Sequence, residues 1–150
     1  MLHLPKKMLY ALEAVVDIAF NARPNPVQSK EITQRQGIPQ RYLEQVMQQL
    51  VHAGILKGVR GPRGGYRLAR ERRRITAGDI VRVIGAADEA EGQSQIFTSE
   101  IGQKVVGPLW VDAQSAMLKQ LDMVTLEELC RRADADCQSD VSRSTNDFNI

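Results

Sequence analysis

Val59-Arg60-Gly61-Pro62-Arg63-Gly64-Gly65-Tyr66-Arg67-Leu68 is the stretch that decides the fold. Gly and Pro fill its middle and strand-forming residues flank them, so it reads as a short hairpin. Arg60, Arg63 and Arg67 make that hairpin basic. Its three glycines allow positive φ and a close approach to another surface. A short Arg-bearing hairpin placed just after two compact helical segments is what a winged helix-turn-helix uses to straddle a DNA backbone. An ordinary basic surface hairpin is the plain alternative, and the residues upstream weigh against it.

Immediately upstream, Ser29 reads as the N-cap of a short helix through Gln36, with Ile32 facing inward. Gly37 is the expected left-handed residue ending that helix, and Pro39 opens the next one in its first turn. This second helix, Pro39 to Ala53, sets Leu43, Val46, Met47 and Leu50 at i, i+3, i+4 and i+7, a buried stripe. Its other face carries Gln40, Arg41, Glu44, Gln45, Gln48 and His52, and Gly54 closes it. Side chains near its start can hydrogen-bond base edges or phosphates. Glutamine is common on any solvated helix, so that face alone says little. The order of short helix, tight turn, polar-faced helix and basic wing identifies a helix-turn-helix with the second helix as reader.

Further out the pattern stays helical. Met8, Leu9, Leu12, Val15, Val16, Ala19 and Phe20 recur at helical spacing from about Lys6 to Ala22, and Arg23-Pro24-Asn25-Pro26 ends that run. After the wing, Arg70 to Arg74 is a basic run that serves equally as a solvated linker or as phosphate contacts. Thr76 and Asp79 form a capping box, with Ile75 positioned to staple onto Ile80, for a helix to about Ala86. Residues 87–106 are polar and read as a loop or loosely helical connector. Gly107-Pro108 should shorten or kink whatever helix runs there. Leu109, Trp110, Ala113, Met117 and Leu121 form the stripe of the next helix. Thr125 to Glu128 is a second capping box, with Val124 and Leu129 as its staple, and it opens a short helix ending near Ala133. Residues 138–150 are mostly polar and read as a disordered tail.

Composition bounds the function class. The chain has 150 residues, 43% of them hydrophobic and 25% charged, as a soluble globular protein does. Its net charge of +2 hides an asymmetry: residues 1–80 hold 14 Lys/Arg against 6 Asp/Glu, and residues 81–150 hold 6 against 12. A basic half beside an acidic half suggests a polyanion-binding module joined to something with another task. Glu13 and Asp17 interrupt the N-terminal apolar stretch, so no signal peptide or membrane span is expected. Two cysteines, Cys130 and Cys137, are too few for a disulfide framework and fit a reducing cytoplasm.

The chain resembles the Rrf-two, IscR-type family of bacterial regulators. Arg35-Gln36-Gly37-Ile38, Tyr42-Leu43-Glu44-Gln45 and Ala53-Gly54-Ile55-Leu56 carry the likeness through the helix-turn-helix. Val59-Arg60-Gly61-Pro62 and Gly64-Gly65-Tyr66 match the family's wing, and Ile75-Thr76 and Asp79-Ile80 follow at its spacing. Leu109-Trp110 and Thr125-Leu126-Glu127-Glu128-Leu129 resemble its dimerisation and closing helices. The likeness spans roughly residues 2–133. It implies a dimeric transcription factor that sets its recognition helix in a major groove with the wing alongside, joined mainly through the helix containing Trp110. Packing of that helix onto the chain's own first helix remains an alternative. Many members sense iron–sulfur clusters through three cysteines in the connector. Here residues 88–106 contain neither Cys nor His, so no cofactor is expected.

The expectation is therefore a mainly α protein with a small β-hairpin wing. Residues 1–86 would bind DNA, and residues 87–137 would form the connector and dimerisation helices. The candidate DNA contacts are Ser29, Gln40, Arg41, Tyr42, Glu44, Gln45, Arg60, Gly61, Pro62, Arg63, Gly64, Gly65 and Tyr66. The candidate dimer interface is Leu109, Trp110, Ala113, Met117 and Leu121. No P-loop, no G-x-S-x-G, no dinucleotide fingerprint and no metal-ligand cluster is present, so an enzyme is not expected. The function expected is a sequence-specific, homodimeric cytoplasmic regulator, a repressor, controlled by a protein or small-molecule effector. Two alternatives stand beside it: a protein-interaction adaptor built on a winged helix, and a thiol redox switch through Cys130 and Cys137.

Overall fold

The structure, a computed structural model, describes residues 3–22, 24–90 and 97–147, with side chains as far as Asp136. Arg23 therefore lies outside the described residues. Among the described residues the order is α1 (Lys6–Asn21), α2 (Ser29–Gln36), α3 (Gln40–His52), β1 (Leu56–Val59), β2 (Gly65–Leu68), α4 (Ala77–Ala90), α5 (Gly107–Asp122) and α6 (Leu126–Asp147). The protein is mainly α with one antiparallel hairpin, as the sequence pattern predicts.

One apolar core holds these helices together. Leu43, Val46, Met47 and Leu50 of α3 are almost fully buried, so the i, i+3, i+4, i+7 stripe is the inward face. Each such side chain contributes about 1.5–3 kcal/mol by leaving water. α1 behaves differently from its expected stripe. Ala11, Ala14, Val15, Ile18 and Ala19 are buried, whereas Leu9 is 40% exposed and Leu12, Val16 and Phe20 are half-buried. The face rich in alanine lets α1 lie close to its neighbours and rolls the larger side chains to the rim.

The local signals explain most helix ends. Gly37, at φ 66°, closes α2. The N-cap of α2 is Gln28 and not Ser29: the Gln28 amide donates to the Glu31 carboxylate at 2.8 Å, completing a capping box one residue earlier. Ser29 is the first helical residue, half-buried, and its carbonyl accepts from the Thr33 hydroxyl at 3.1 Å. For α4 the expected box forms in both directions. The Thr76 amide donates to Asp79 at 3.0 Å and the Asp79 amide to the Thr76 hydroxyl at 3.1 Å.

Two departures concern the C-terminal half. Gly107-Pro108 does not break the helix. A π-helical turn, Gly102–Val106, runs straight into α5, and the Gly107 amide reaches back to the Gly102 carbonyl. Lengthening the hydrogen-bond step there gives room for a proline that has no N–H to donate. The latter part of the connector is thus helical, while residues 91–96 lie outside the described residues. The closing helix, begun where the Glu128 amide meets the Thr125 hydroxyl at 3.2 Å, continues past Ala133 to Asp147. No Gly or Pro lies between Ala133 and Asp147 to stop it, so most of the expected disordered tail is helix. Residues 148–150 lie outside the described residues.

The start of α6 also returns to the first unit. Leu126 and Cys130 belong to the same core as α1, α3 and α4, so that core does not end at residue 86. Backbone hydrogen bonds sew the corner down, with the Ala77 amide on the Val124 carbonyl and the Leu126 amide on the Ile75 carbonyl, both at 2.9 Å. Among the described residues no helix is long and apolar enough to cross a membrane.

Candidate nucleic-acid interface

The exposed start of α3 presents Gln40, Arg41, Tyr42, Glu44 and Gln45 together, with Gln48 one turn on. They are exposed because the Leu43–Leu50 stripe fixes the rotation of the helix. Their side chains are partly organised before any partner arrives. Thr33 Oγ1 lies 3.1 Å from Gln40 Oε1 and shares its one proton between that oxygen and the Ser29 carbonyl, and Gln40 Nε2 donates to Glu44 Oε1 at 3.0 Å. This relay runs from α2 to α3, and Thr33 was not among the sequence candidates. Tyr42 is braced by Tyr10 of α1, with ring centroids 5.7 Å apart, and the Arg41 guanidinium stands 5.8 Å from the Tyr42 ring. The cation–π contact is worth about 0.5–1 kcal/mol at such an exposed site.

The wing is held by backbone geometry. β1 and β2 pair Leu56 with Leu68, Lys57 with Arg67 and Val59 with Gly65. The Gly64 amide donates to the Gly61 carbonyl at 2.9 Å, and Gly61 adopts φ 114°. Positive φ is thus needed at one of the three glycines, and the other two serve close approach. A Cβ on Gly64 would strike the Val59 carbonyl oxygen, and one on Gly65 would lie 2.6 Å from the Val27 carbonyl carbon. The surface approached is the chain's own: Val27 and Tyr66 exchange both backbone hydrogen bonds, at 3.0 and 2.7 Å, adding a third short edge to the hairpin. Tyr66 packs half-buried against the core. Gly64 is buried, so of the wing candidates Arg60, Gly61, Pro62 and Arg63 are the exposed ones. Arg60 and Arg63 have no hydrogen bond or ion pair among the described residues.

A buried carboxylate positions the helix-turn-helix from behind. Asp17 is 3% exposed and receives Arg35 Nε at 2.9 Å, Arg35 Nη2 at 2.7 Å and Gln36 Nε2 at 2.8 Å. Burial alone would raise its pKa. The hydrogen bonds from Arg35 and Gln36, with the Arg35 charge, outweigh burial and hold it below the ordinary aspartate value. Part of the Arg70–Arg74 run is structural too. Arg72 donates to the Ala19 carbonyl near the end of α1, and Arg73 pairs with Glu71 at 2.9 Å.

The dimer candidates lie on a helix that packs along α4 and leaves most of its apolar side chains exposed. α5 has no buried residue: Leu109 is 67% exposed, Trp110 40% and Met117 41%, with Ala113 exposed and Leu121 half-buried. Ile101, Val105 and Val111 extend the exposed apolar surface. α5 is fastened to α4 by Arg82, which donates to both oxygens of Asp122, one of them at 2.6 Å.

The donors for an iron–sulfur cluster do not fit. The connector has no thiolate or imidazole, and Cys130 is 3% exposed in the apolar core beside Leu126. Cys137 lies further along α6, where side chains are not described. Seven residues on a continuous helix span about 10 Å, beyond a disulfide's reach, so a bond from Cys130 to Cys137 within one chain needs α6 to open.

The comparisons agree with this architecture. A family described as Rrf2, iron-dependent transcriptional regulator, matches residues 4–132. The transcriptional regulator IscR of Vibrio cholerae is 34% identical over 129 residues, 85% of this chain and 75% of that protein. IscR of Aliivibrio salmonicida is 38% identical over 130 residues, covering 84% and 76%. Among solved structures, T. potens IscR superposes with a TM-score of 0.69 at 36% identity over 88% of each chain. CymR, the global cysteine regulator of B. subtilis, gives 0.67 at 32% identity over 88% of this chain and 98% of its own. With the family match running from α1 into α6, and with the helix-turn-helix and wing in place, the chain belongs to the Rrf2 family of winged-helix, DNA-binding transcriptional regulators and is not an enzyme.

Proposed function

We propose that the protein is a sequence-specific, homodimeric repressor acting in the cytoplasm. Gln40, Arg41, Tyr42, Glu44 and Gln45 enter the major groove, with Ser29 at the start of α2 beside them. Arg60 and Arg63 grip the flanking minor groove or its phosphates. The observation that carries this reading is the pair of exposed wing arginines without any partner among the described residues. A guanidinium left unpaired on a hairpin so firmly pinned is suited to phosphate or to a narrow minor groove. Residues 1–86 supply the DNA-binding unit and residues 87–137 the joint to a second copy. A dimer seated over two half-sites excludes other proteins from that DNA, the simplest route to repression. No iron–sulfur cluster takes part, so control falls to a protein or small-molecule effector.

A mobility-shift titration on DNA upstream of its own gene, repeated across a salt series, tests the reading. The logarithm of the binding constant should fall linearly with log salt, and Arg60→Ala and Arg63→Ala should each flatten the slope by about 0.9. Two variants that bind as tightly as wild type in physiological salt would remove the wing from the interface. Glu44→Ala should relax base preference more than it lowers affinity, because the carboxylate accepts from a cytosine amino group or repels misplaced phosphate. Failure to retain DNA even at low salt would favour the protein-adaptor alternative.

A further inference from the structure

At the base of the wing lies an open cleft of about 600 Å³ that the reading above leaves unused. Five of its lining side chains are cations, Lys57, Arg67, Arg70, Arg72 and Arg73, against the two carboxylates Glu71 and Glu127. Arg67 is fixed by donating to the Pro24 carbonyl at 2.7 Å, and Arg72 by donating to the Ala19 carbonyl. A bond to a neutral carbonyl uses one of a guanidinium's five N–H donors and leaves its charge uncompensated. Glu71 is already engaged by Arg73 at 2.9 Å. Lys57 and Arg70 are exposed and without an ion pair among the described residues.

We propose that this cleft binds a small anion carrying phosphate or carboxylate groups, held by Lys57, Arg67 and Arg70. Oriented guanidinium groups and unpaired cations around a concavity offer short, charge-assisted hydrogen bonds to such a ligand. The volume falls within the usual range for small-molecule sites, about 300–1,000 Å³. Duplex DNA is the poorer occupant for two reasons. Lys57 and Arg67 lie below the Gly58–Tyr66 and Val59–Gly65 pairs, about 7 Å along the strands from the last pair before the turn. Glu127 also belongs to α6, and its carboxylate would repel a continuous phosphate track while leaving room for a compact ligand. Both wing strands wall the cleft, so its occupancy is linked to the placing of Arg60 and Arg63, and that linkage is reciprocal. The linkage rests on the DNA-binding reading; the site itself does not.

Calorimetric titration with pyrophosphate and with citrate, one probe for each anion chemistry, tests the proposal on the full chain. At least one probe should bind saturably, and the one that does assigns phosphate or carboxylate. Lys57→Gln/Arg70→Gln should weaken it about tenfold, and Arg60→Ala/Arg63→Ala should leave it unchanged. Both changed groups in the cleft are exposed and have no partner among the described residues, so the melting temperature should hold. Flat titrations with both probes up to about 10 mM, or equal binding by the cleft variant, overturn the proposal. A DNA salt slope lowered by about two units in that variant assigns the cleft to the DNA backbone and overturns it as well. Anion titration needs no DNA, so the site and the operator-binding reading fail separately.

Discussion

Asp17 and Arg35 form a two-point ion pair that locks α1 to α2, with Arg35 donating from Nε and Nη2 at 2.9 and 2.7 Å. The Asp17 side chain is fully buried, and that of Arg35 is 38% exposed. Its oxygens are the anchor on which the first helix of the helix-turn-helix is placed. Replacing Asp17 by Asn keeps the shape and removes the charge. Arg35 can turn to water, which softens the loss, so destabilisation of about 2 kcal/mol is expected. Chemical denaturation should show a lower midpoint with an unchanged slope.

The same pair fixes a pH dependence. The folded pKa of Asp17 lies below its unfolded value, so the unfolded chain binds the proton first as pH falls. Its stabilisation is complete above the unfolded value, about 3.9, and disappears as pH falls through the lowered folded value. The stability gap between wild type and Asp17→Asn should therefore be constant near neutrality and close in acid. A gap that stays open in strong acid would show that lost shape, and not lost charge, sets the cost.

Gly65 is held to glycine by a backbone contact. A methyl group there would press on the Val27 carbonyl, whose oxygen accepts the Tyr66 amide at 2.7 Å. Gly65→Ala should cost about 1–3 kcal/mol by overpacking. It should also speed hydrogen exchange at the Val27 and Tyr66 amides. Gly58 has open space around its Cβ position, so Gly58→Ala should stay within about 0.5 kcal/mol of wild type. Equal effects at the two sites would deny the close approach its role.

These particulars mark what was legible in the sequence. The wing, the turn at Gly37 and the α3 stripe were readable because each depends on local chemistry within a few residues. In the sequence Asp17 is only a charge interrupting an apolar run, because its partners lie 18 and 19 residues away. The roll of α1 onto Ala11 and Ala14 is likewise a packing outcome that periodicity cannot supply. Leu126 and Cys130 carry no mark that they return to the core of the first unit. Pro108 reads as a breaker, and only the π-helical turn ahead of it shows how the helix passes through.

The connector's lack of thiolates has a spectroscopic consequence. Carboxylates hold iron–sulfur clusters poorly, and Cys130 is packed in the core, so protein purified without oxygen should be colourless. Its visible spectrum should lack charge-transfer bands. Brown protein with stoichiometric iron and sulfide would mean that unusual ligands hold a cluster after all.

α5 carries the oligomer reading. Sixteen helical residues with none buried and Leu109 two-thirds exposed are costly for a lone chain in water. A second copy of α5 set against the first would cover Leu109, Trp110, Ala113 and Met117 by a two-fold, self-complementary contact. Charging that surface should break the contact without touching the core. Leu109→Asp/Met117→Asp should sediment as a monomer and keep the far-ultraviolet spectrum of wild type. It should also bind a two-half-site operator far more weakly, because two linked recognition helices gain from effective concentration what one cannot. Packing of α5 onto the chain's own α1 predicts something else: a loss of thermal stability with the wild-type mass unchanged. A monomeric wild type would end the dimer reading, and with it the requirement for paired half-sites.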